Sequence, residues 1–189
     1  YNPAGITQLQ GHDMSLGVYL ISTDVGFQSP GGGSASTQTG FQAVPQIYYT
    51  FSPDDSALSF GLGVYAPYGL GIDYGRYTPF PTAAQDAELA YLTVNPVVAW
   101  EITPGLSIAA GLTLNRSEVR IERRIGLLPK FDEFQFEGDG YATGFNLGML
   151  WQPHEQWSFG LNYRSPTEID YKGRSVTAPV PPFGGATPT

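Results

Sequence analysis

The chain has 189 residues, a formal net charge of −8 at pH 7 and no cysteine, which excludes disulfides and thiolate metal sites and disfavours a basic nucleic-acid-binding face. Charged residues make up only 14%, against about 25% in soluble domains, and no apolar run approaches the 18 or so residues of a membrane-spanning helix. The mean hydropathy of −0.14 is compatible with membrane β-strands, which need an apolar residue only at every second position.

Seven stretches alternate large apolar with small polar residues and predict β-strands. They cover, in chain order, residues 13–23, 40–52, 56–66, 88–101, a stretch from 106, a stretch ending at 151 and one from about 156. The last stretch shows the two faces most clearly: Trp157, Phe159, Leu161 and Tyr163 against Ser158, Gly160 and Asn162. Alternation without charge predicts a strand with lipid on one side and a wet lumen on the other.

The connections between the predicted strands alternate in length. Residues 52–55, 103–105 and 152–155 form short turns rich in Pro, Asp and Gly, whereas residues 24–40, 66–87 and 126–130 form longer connections. Short turns at one rim and long loops at the other are typical of outer-membrane barrels, whose short turns are periplasmic. Large aromatic residues flank the short turns, as expected of an interfacial girdle: Phe51, Trp100, Trp151 and Trp157.

The fifth and sixth strands are expected to continue beyond the membrane. A span of about 9–11 residues from Leu106 ends near Arg116, where a block of charges begins that runs to Arg124. This block predicts a hairpin that projects into solvent outside the cell. Because single-chain bacterial barrels use an even number of strands, seven strands predict an incomplete barrel with more strands after Thr189.

Six segments together resemble the FadL/TodX family of outer-membrane transporters for fatty acids and hydrocarbons. They are Tyr1–Gly5 with its Asn-Pro-Ala motif, Phe60–Leu70, Val94–Trp100, Leu106–Leu112, Arg120–Arg123 and Phe159–Ser165. The resemblance implies an all-β transmembrane antiparallel barrel with about seven of fourteen strands present. It divides the chain into the end of an N-terminal hatch (1–12), the first half of the barrel (13–175) and an external loop (176–189).

The same resemblance implies passive uptake of long-chain fatty acids or aromatic hydrocarbons in the bacterial outer membrane, through a hatch-plugged barrel with lateral exit into lipid. It implies a monomer without cofactors, whose partners are a hydrophobic small molecule and membrane lipid or detergent. The alternative is a non-transporting barrel that acts as an adhesin or structural protein through its external loops.

Two candidate sites are expected inside the barrel. Asn2, Pro3 and Ala4 form either an ordinary turn or, by the resemblance, the hatch motif that plugs the lumen. Arg164 lies on the lumen face by parity, beside Asn162. Its guanidinium group is suited to a fatty-acid carboxylate, and the alternative is an ion pair with a lumen Asp or Glu.

Three further candidates concern the wall and the outer side. Asn95 and Pro96 interrupt a strand, because proline removes a ladder donor; they mark either a bulge or, by the resemblance, a lateral opening. Arg123 has lumen parity but lies above the membrane, in a solvated block of mixed charge. An external aromatic stretch predicts either a capture groove or a self-packed loop: Tyr65, Tyr68, Leu70, Ile72, Tyr74, Tyr77 and Phe80. Of these, we expect Tyr68, Leu70 and Tyr74 to contact ligand.

The sequence offers no set of residues for catalysis. His12 and His154 are far apart, and the paired carboxylates at Asp54–Asp55 and Asp132–Glu133 have no nucleophile nearby. We therefore expect neither an enzyme nor a metal site.

Overall fold

The structure, a computed structural model, describes residues 2–38, 40–75, 78, 84–127 and 130–179. The regular elements among these residues are one short 3-10 helix, Pro3–Gln8, and eleven strands. The strands are β1 (Gly11–Thr23), β2 (Gly26–Gln28), β3 (Ser34–Ser36), β4 (Gly40–Ser52), β5 (Leu58–Tyr65), β6 (Leu70–Asp73), β7 (Ala84–Thr103), β8 (Leu106–Leu127), β9 (Lys130–His154), β10 (Trp157–Arg164) and β11 (Lys172–Pro179). No helix among these residues is long and apolar enough to cross a membrane.

Seven strands form a continuous antiparallel sheet in the order β1-β4-β5-β7-β8-β9-β10. They correspond to the seven predicted strands, so the all-β half-barrel fold is confirmed. Two short strands extend the sheet on the side away from the short turns. β6 follows β5 along the chain and pairs with β7, and β11 follows β10 and pairs with β9. A separate ribbon of β2 and β3 lies within the first long connection.

The two faces of this sheet reverse the usual arrangement of a soluble protein. Large apolar side chains point outward and are open, with Leu16 66% and Leu20 71% exposed, whereas on the strands between β1 and β10 the inward face holds small polar side chains that are nearly fully buried. The buried inward residues include Thr50, Ser59, Thr93, Asn95, Ser107, Asn115, Ser117 and Asn146. An apolar outer face and a polar inner face are the pattern of a barrel in lipid. We call the inner face the lumen face.

The hairpin of β8 and β9 is far longer than a membrane span. Its strands have 22 and 25 residues, whereas a spanning strand needs about 9–11. On β8 the outward side chains are apolar up to Leu114 and charged from Arg116 onward. Arg116 forms an ion pair with Glu118 at 2.6 Å and stacks on the ring of Tyr141 at 5.6 Å. The predicted extension of these two strands is therefore present, and its charged outer face begins at Arg116.

Aromatic residues gather at the rim formed by the short turns. Trp157 and Phe159 are stacked with ring centroids 6.2 Å apart, and Trp151 lies 5.6 Å from Phe159. At the other end of the sheet, the ring of His12 stacks on Phe51 at 4.4 Å. These rings face outward, where an interfacial girdle is expected.

Candidate ligand path

The N-terminal 3-10 helix lies against the lumen face and is fixed there by side-chain hydrogen bonds. Asn2 caps the helix, since its Oδ1 accepts from the backbone N–H of Ala4 at 3.1 Å, and its Nδ2 donates to the carbonyl of Met149 on β9 at 2.6 Å. Thr7 Oγ1 lies 2.8 Å from Ser107 Oγ on β8. The predicted Asn2-Pro3-Ala4 motif thus lies inside the curled sheet, held to two strands. Tyr1 lies outside the described residues.

Small residues of the wall make room for this helix. A β-carbon on Gly148 would lie 2.8 Å from Cδ of Pro3 and would also overlap Oδ1 of Asn2. A β-carbon on Gly61 would lie 3.3 Å from Cδ1 of Ile6. Ala4 is completely buried and packs against wall alanines of β7 and β8. The helix is therefore held by close packing against small wall residues, and this packing leaves no room for added methyl groups.

A mostly apolar cavity of about 330 Å³ opens beside the seated helix. It brings together the predicted Asn2, Pro3, Asn95 and Arg164 with residues from five strands, including Thr50, Tyr48, Tyr65 and Asn146. The guanidinium carbon of Arg164 lies 5.9 Å from the ring centroid of Tyr65. Among the described residues Arg164 has no carboxylate within 4.0 Å. Asn162, two residues earlier on the same face, pairs with Gly148 under the helix.

Asn95 and Pro96 occupy a break in the ladder between β7 and β8. The register is the same at Val94–Leu114 and at Val97–Gly111, so no residue is inserted and there is no bulge. Because Pro96 has no N–H to offer, the carbonyl of Leu112 instead accepts from Nδ2 of Asn95 at 2.6 Å. Asn95 is further paired with Asn146, whose Nδ2 donates to Asn95 Oδ1 at 3.0 Å. The Asn95 side chain therefore repairs the break from the lumen side.

A gap in the wall lies elsewhere, where β5 ends and β6 has not begun. β5 pairs with β4 and β7 only up to Tyr65, and β6 joins β7 only from Leu70. The four residues 66–69 between them pair with no strand, and a cavity of about 510 Å³ separates β4 from β7 at this level. It is lined by Phe41, Ala43, Val44, Ala66, Tyr68, Leu89 and Tyr91, and on its outer side by the charged residues Glu88, Arg116 and Glu118.

The residues of the external aromatic stretch lie before, within and after this gap. The ring of Tyr68 lies at the gap, 4.4 Å from that of Tyr91. Leu70 lies in β6 opposite Leu89, although its side chain is outside the described part. Tyr74 is half-buried and its backbone N–H donates to Gln85 at 2.8 Å. Tyr77 and Phe80 lie outside the described residues. Of the three predicted contacts, Tyr68 lines the cavity at the gap.

Arg123 lies above the membrane-facing part of the sheet, away from the lumen cavity. Its guanidinium group stacks on the ring of Phe134 at 5.3 Å, and it lines a small cavity of about 220 Å³ with several acidic residues. Two of these, Asp73 and Asp86, are directly opposite each other on β6 and β7, and Asp86 is opposite Glu122 on β8. Burial, followed by the charges of Asp73 and Glu122, raises the pKa of Asp86 above its ordinary value of 3.8.

Asp86→Asn is expected to tighten the attachment of β6 near neutral pH. A raised pKa means that the folded state prefers the protonated carboxyl, so stability is full below pH 3.8 and falls as the pH rises through the raised pKa of Asp86. Facing like charges cost roughly 0.2–1 kcal/mol. Hydrogen exchange of the β6 amides should therefore slow by roughly 1.5-fold to 5-fold at neutral pH and be unchanged in acid. The exposed Asp139→Asn serves as the control, and equal slowing in both variants would count against this origin.

Several residues of this path do not stand out in the sequence. Strand parity places Asn146 and Thr50 on the lumen face, but nothing local indicates that Asn146 meets Asn95, 51 residues away. Thr50 Oγ1 is buried and has no hydrogen-bond partner in the part of the chain that the structure describes. In the sequence, Gly148 is indistinguishable from the other small residues of the lumen face, and only its contact with the helix sets it apart.

Comparison with known proteins agrees with this arrangement. The profile of a family described as outer membrane protein transport protein (OMPP1/FadL/TodX) matches residues 1–184. Outer membrane protein P1 of Haemophilus influenzae is 23% identical over 88% of this chain and 43% of its own length. The long-chain fatty acid transport protein of Escherichia coli K12 is 22% identical over 91% of the chain and 46% of its own length. The chain thus spans about half the length of these relatives.

Solved structures show the same fold. The Pseudomonas putida toluene transporter TodX superposes with a TM-score of 0.81 at 20% identity, covering 98% of this chain and 54% of that one. The Ralstonia pickettii toluene transporter TbuX gives a TM-score of 0.78 at 18% identity, covering 95% and 56%.

Proposed function

Since the chain belongs to the outer membrane protein transport family (OMPP1/FadL/TodX), we propose that it serves the uptake of hydrophobic small molecules across the bacterial outer membrane. Transport is by passive diffusion through a monomeric barrel plugged by the hatch segment, residues 1–12. The observation that carries the proposal is the apolar lumen cavity, which adjoins the seated helix on one side and the wall gap on the other.

The proposed route has three stages. A ligand enters from the external side, passes into the cavity beside Arg164, and leaves sideways into lipid through the wall gap, which Tyr68 lines. Tyr65 lines the cavity and the next residue, Ala66, lines the gap, so the last two stages are adjacent. At Asn95 and Pro96, next to the cavity, the wall is closed by the side chain of Asn95 in place of a backbone donor, so this stretch is a second candidate for the exit.

The names of the relatives indicate two alternative classes of ligand. One relative is named for long-chain fatty acids and the structural neighbours for toluene. Both ligands suit a cavity with aromatic and apolar walls. Arg164 adds a cation at its rim without a carboxylate partner among the described residues, so we propose that it holds the head group when the ligand is an acid.

The proposal is tested by uptake in living cells. Cells that express this protein from its own gene should accumulate radiolabelled toluene or oleate faster than cells in which the gene is deleted. Equal rates in both strains would contradict a transport function and favour the adhesin or structural alternative.

Arg164→Ala is expected to weaken oleate binding to the purified protein by roughly tenfold or more, since a charged hydrogen bond contributes about 1.5–3 kcal/mol. Toluene offers no head group, so its binding should be unchanged. Arg174→Ala, on the outward face of β11, is the matched control. Unaltered oleate affinity in Arg164→Ala would remove the head-group role while leaving the transport proposal in place.

A further inference from the structure

The segment between β10 and β11, residues 165–171, departs from the edge of the sheet. Pairing of β10 with β9 ends at Arg164–Asn146, and pairing of β11 with β9 begins at Lys172–Asp139. The seven residues in between make no ladder with the facing part of β9. We call this segment the strap.

The strap crosses the lumen face of β9. A β-carbon on Gly140 would lie 2.5 Å from Cγ2 of Ile169, and one on Gly144 would lie 3.1 Å from Oγ1 of Thr167. Gly140 and Gly144 share the face of Gly148, because side chains on a strand alternate, and Gly148 lies under the hatch segment. The strap therefore lies inside the barrel, and two wall glycines leave the space that it fills.

Hydrogen bonds fix both ends of the strap. At the start, the backbone N–H of Ser165 donates to the carbonyl of Phe145 at 2.9 Å, and Ser165 Oγ accepts from the N–H of Phe145 at 3.0 Å. At the end, Oη of Tyr171 lies 2.9 Å from Oγ of Ser117, which is 1% exposed on the lumen face of β8. The strap is thus held as a fixed bridge rather than a loose loop.

Two carboxylates of the strap face away from the wall. Burial alternates along the segment, with Thr167 and Ile169 half-buried against β9 and Glu168 and Asp170 exposed. Neither carboxylate has a cationic partner within 4.0 Å among the described residues. Because the strap begins directly after Arg164, both lie on the side of the cavity that is farther from the short turns.

The rest of the described lumen wall does not neutralise this charge. By parity its strands contribute the charged residues Asp13, Glu101 and Arg164 between the two rims. With Glu168 and Asp170, the described lumen residues up to the level of Ser117 therefore carry four carboxylates and one cation, and Arg123 lies six residues further along β8. Charges in a channel with walls of low dielectric act on a passing ion more strongly than they would in bulk water.

We propose that Glu168 and Asp170 make the strap an electrostatic filter that admits uncharged hydrophobic molecules faster than carboxylate anions. This rests on the proposed transport function and adds a selectivity to it. Arg164 governs how firmly the cavity holds an acid, whereas the strap governs how fast a charged or neutral ligand reaches the cavity.

The test replaces both carboxylates by neutral isosteres and compares two ligands. Cells expressing the Glu168→Gln/Asp170→Asn double variant should take up oleate roughly threefold to tenfold faster than native cells near neutral pH, with toluene uptake unchanged. The Glu137→Gln/Asp139→Asn double variant removes two carboxylates from the outer face near the same level and should behave as native. Glu168→Asp/Asp170→Glu keeps the charges and should retain the slow oleate rate.

Ionic strength separates a charge effect from a change of shape. At high concentration, salt screens the interaction of exposed charges that are more than a few Å apart. The faster oleate uptake of the neutral variant should therefore shrink in high salt. An unchanged oleate rate, or an equal rise for both ligands, would overturn the filter and leave transport intact. If native cells take up neither ligand, the transport function itself fails and the filter with it.

Discussion

Replacing Gly148 by valine is expected to unseat the hatch segment and to open the barrel to water and ions. A β-carbon at this position would lie 2.8 Å from both Cδ and Cγ of Pro3, and the side chain of valine extends further. Overpacking of this kind costs about 1–3 kcal/mol. Displacement of Asn2 also breaks its 2.6 Å hydrogen bond to Met149, which contributes about 1 kcal/mol.

Together these losses shift the balance between seated and displaced hatch by about 2–4 kcal/mol, which corresponds to roughly 30-fold or more. Conductance of single barrels in planar bilayers should therefore rise in the variant. Gly17→Val is the matched control: it also adds bulk to the lumen face, but its close neighbour is the flexible side chain of Gln46. A native conductance in Gly148→Val would show that this contact does not determine whether the hatch is seated.

The alternation of side chains let the sequence predict most of this arrangement. Parity alone places Arg164 and Asn162 inward and Trp157 and Phe159 outward, because side chains on a strand change face at every residue. The charge that begins at Arg116 likewise predicts where the hairpin leaves the membrane. Both predictions use only local information; the sheet agrees with the first, and it continues β8 and β9 well past Arg116.

Strand parity could not predict which side chains meet across the lumen. The Asn95–Asn146 pair joins residues on non-adjacent strands, β7 and β9, so it depends on the curvature of the sheet. The contact of the N-terminal 3-10 helix with Gly148 depends on where this short helix packs against the wall. Strand parity gives a direction for each side chain, but it does not give the distance across the lumen.

The position of the wall gap shows the same limit. Proline at position 96 is the visible irregularity in the sequence, yet the register there is intact and Asn95 supplies the missing donor. The gap instead follows from the ends of two short strands, β5 at Tyr65 and β6 at Leu70.

Filling the wall gap with a large side chain is expected to slow ligand exit more than ligand binding. Ala66 lines the gap but does not line the lumen cavity, so tryptophan at this position narrows the path to lipid while leaving the cavity walls unchanged. An added barrier of about 1.4 kcal/mol lowers a rate tenfold. We therefore expect Ala66→Trp to reduce toluene uptake by roughly tenfold, with toluene affinity of the purified protein unaltered.

Ala110→Trp provides the comparison for Ala66→Trp. Ala110 points outward from β8, where the ladder continues on both sides to Val98 and Leu147, so the same indole adds bulk in lipid without blocking a gap. Native uptake in Ala66→Trp would mean that ligand does not leave between β4 and β7. The break at Asn95–Pro96 would then become the better candidate for the exit, because Asn95 lines the lumen cavity and the ladder beside it lacks a backbone donor. Slower uptake in both variants would instead indicate a general effect of added bulk on barrel assembly, whereas loss confined to Ala66→Trp ties transport to the gap at residues 66–69.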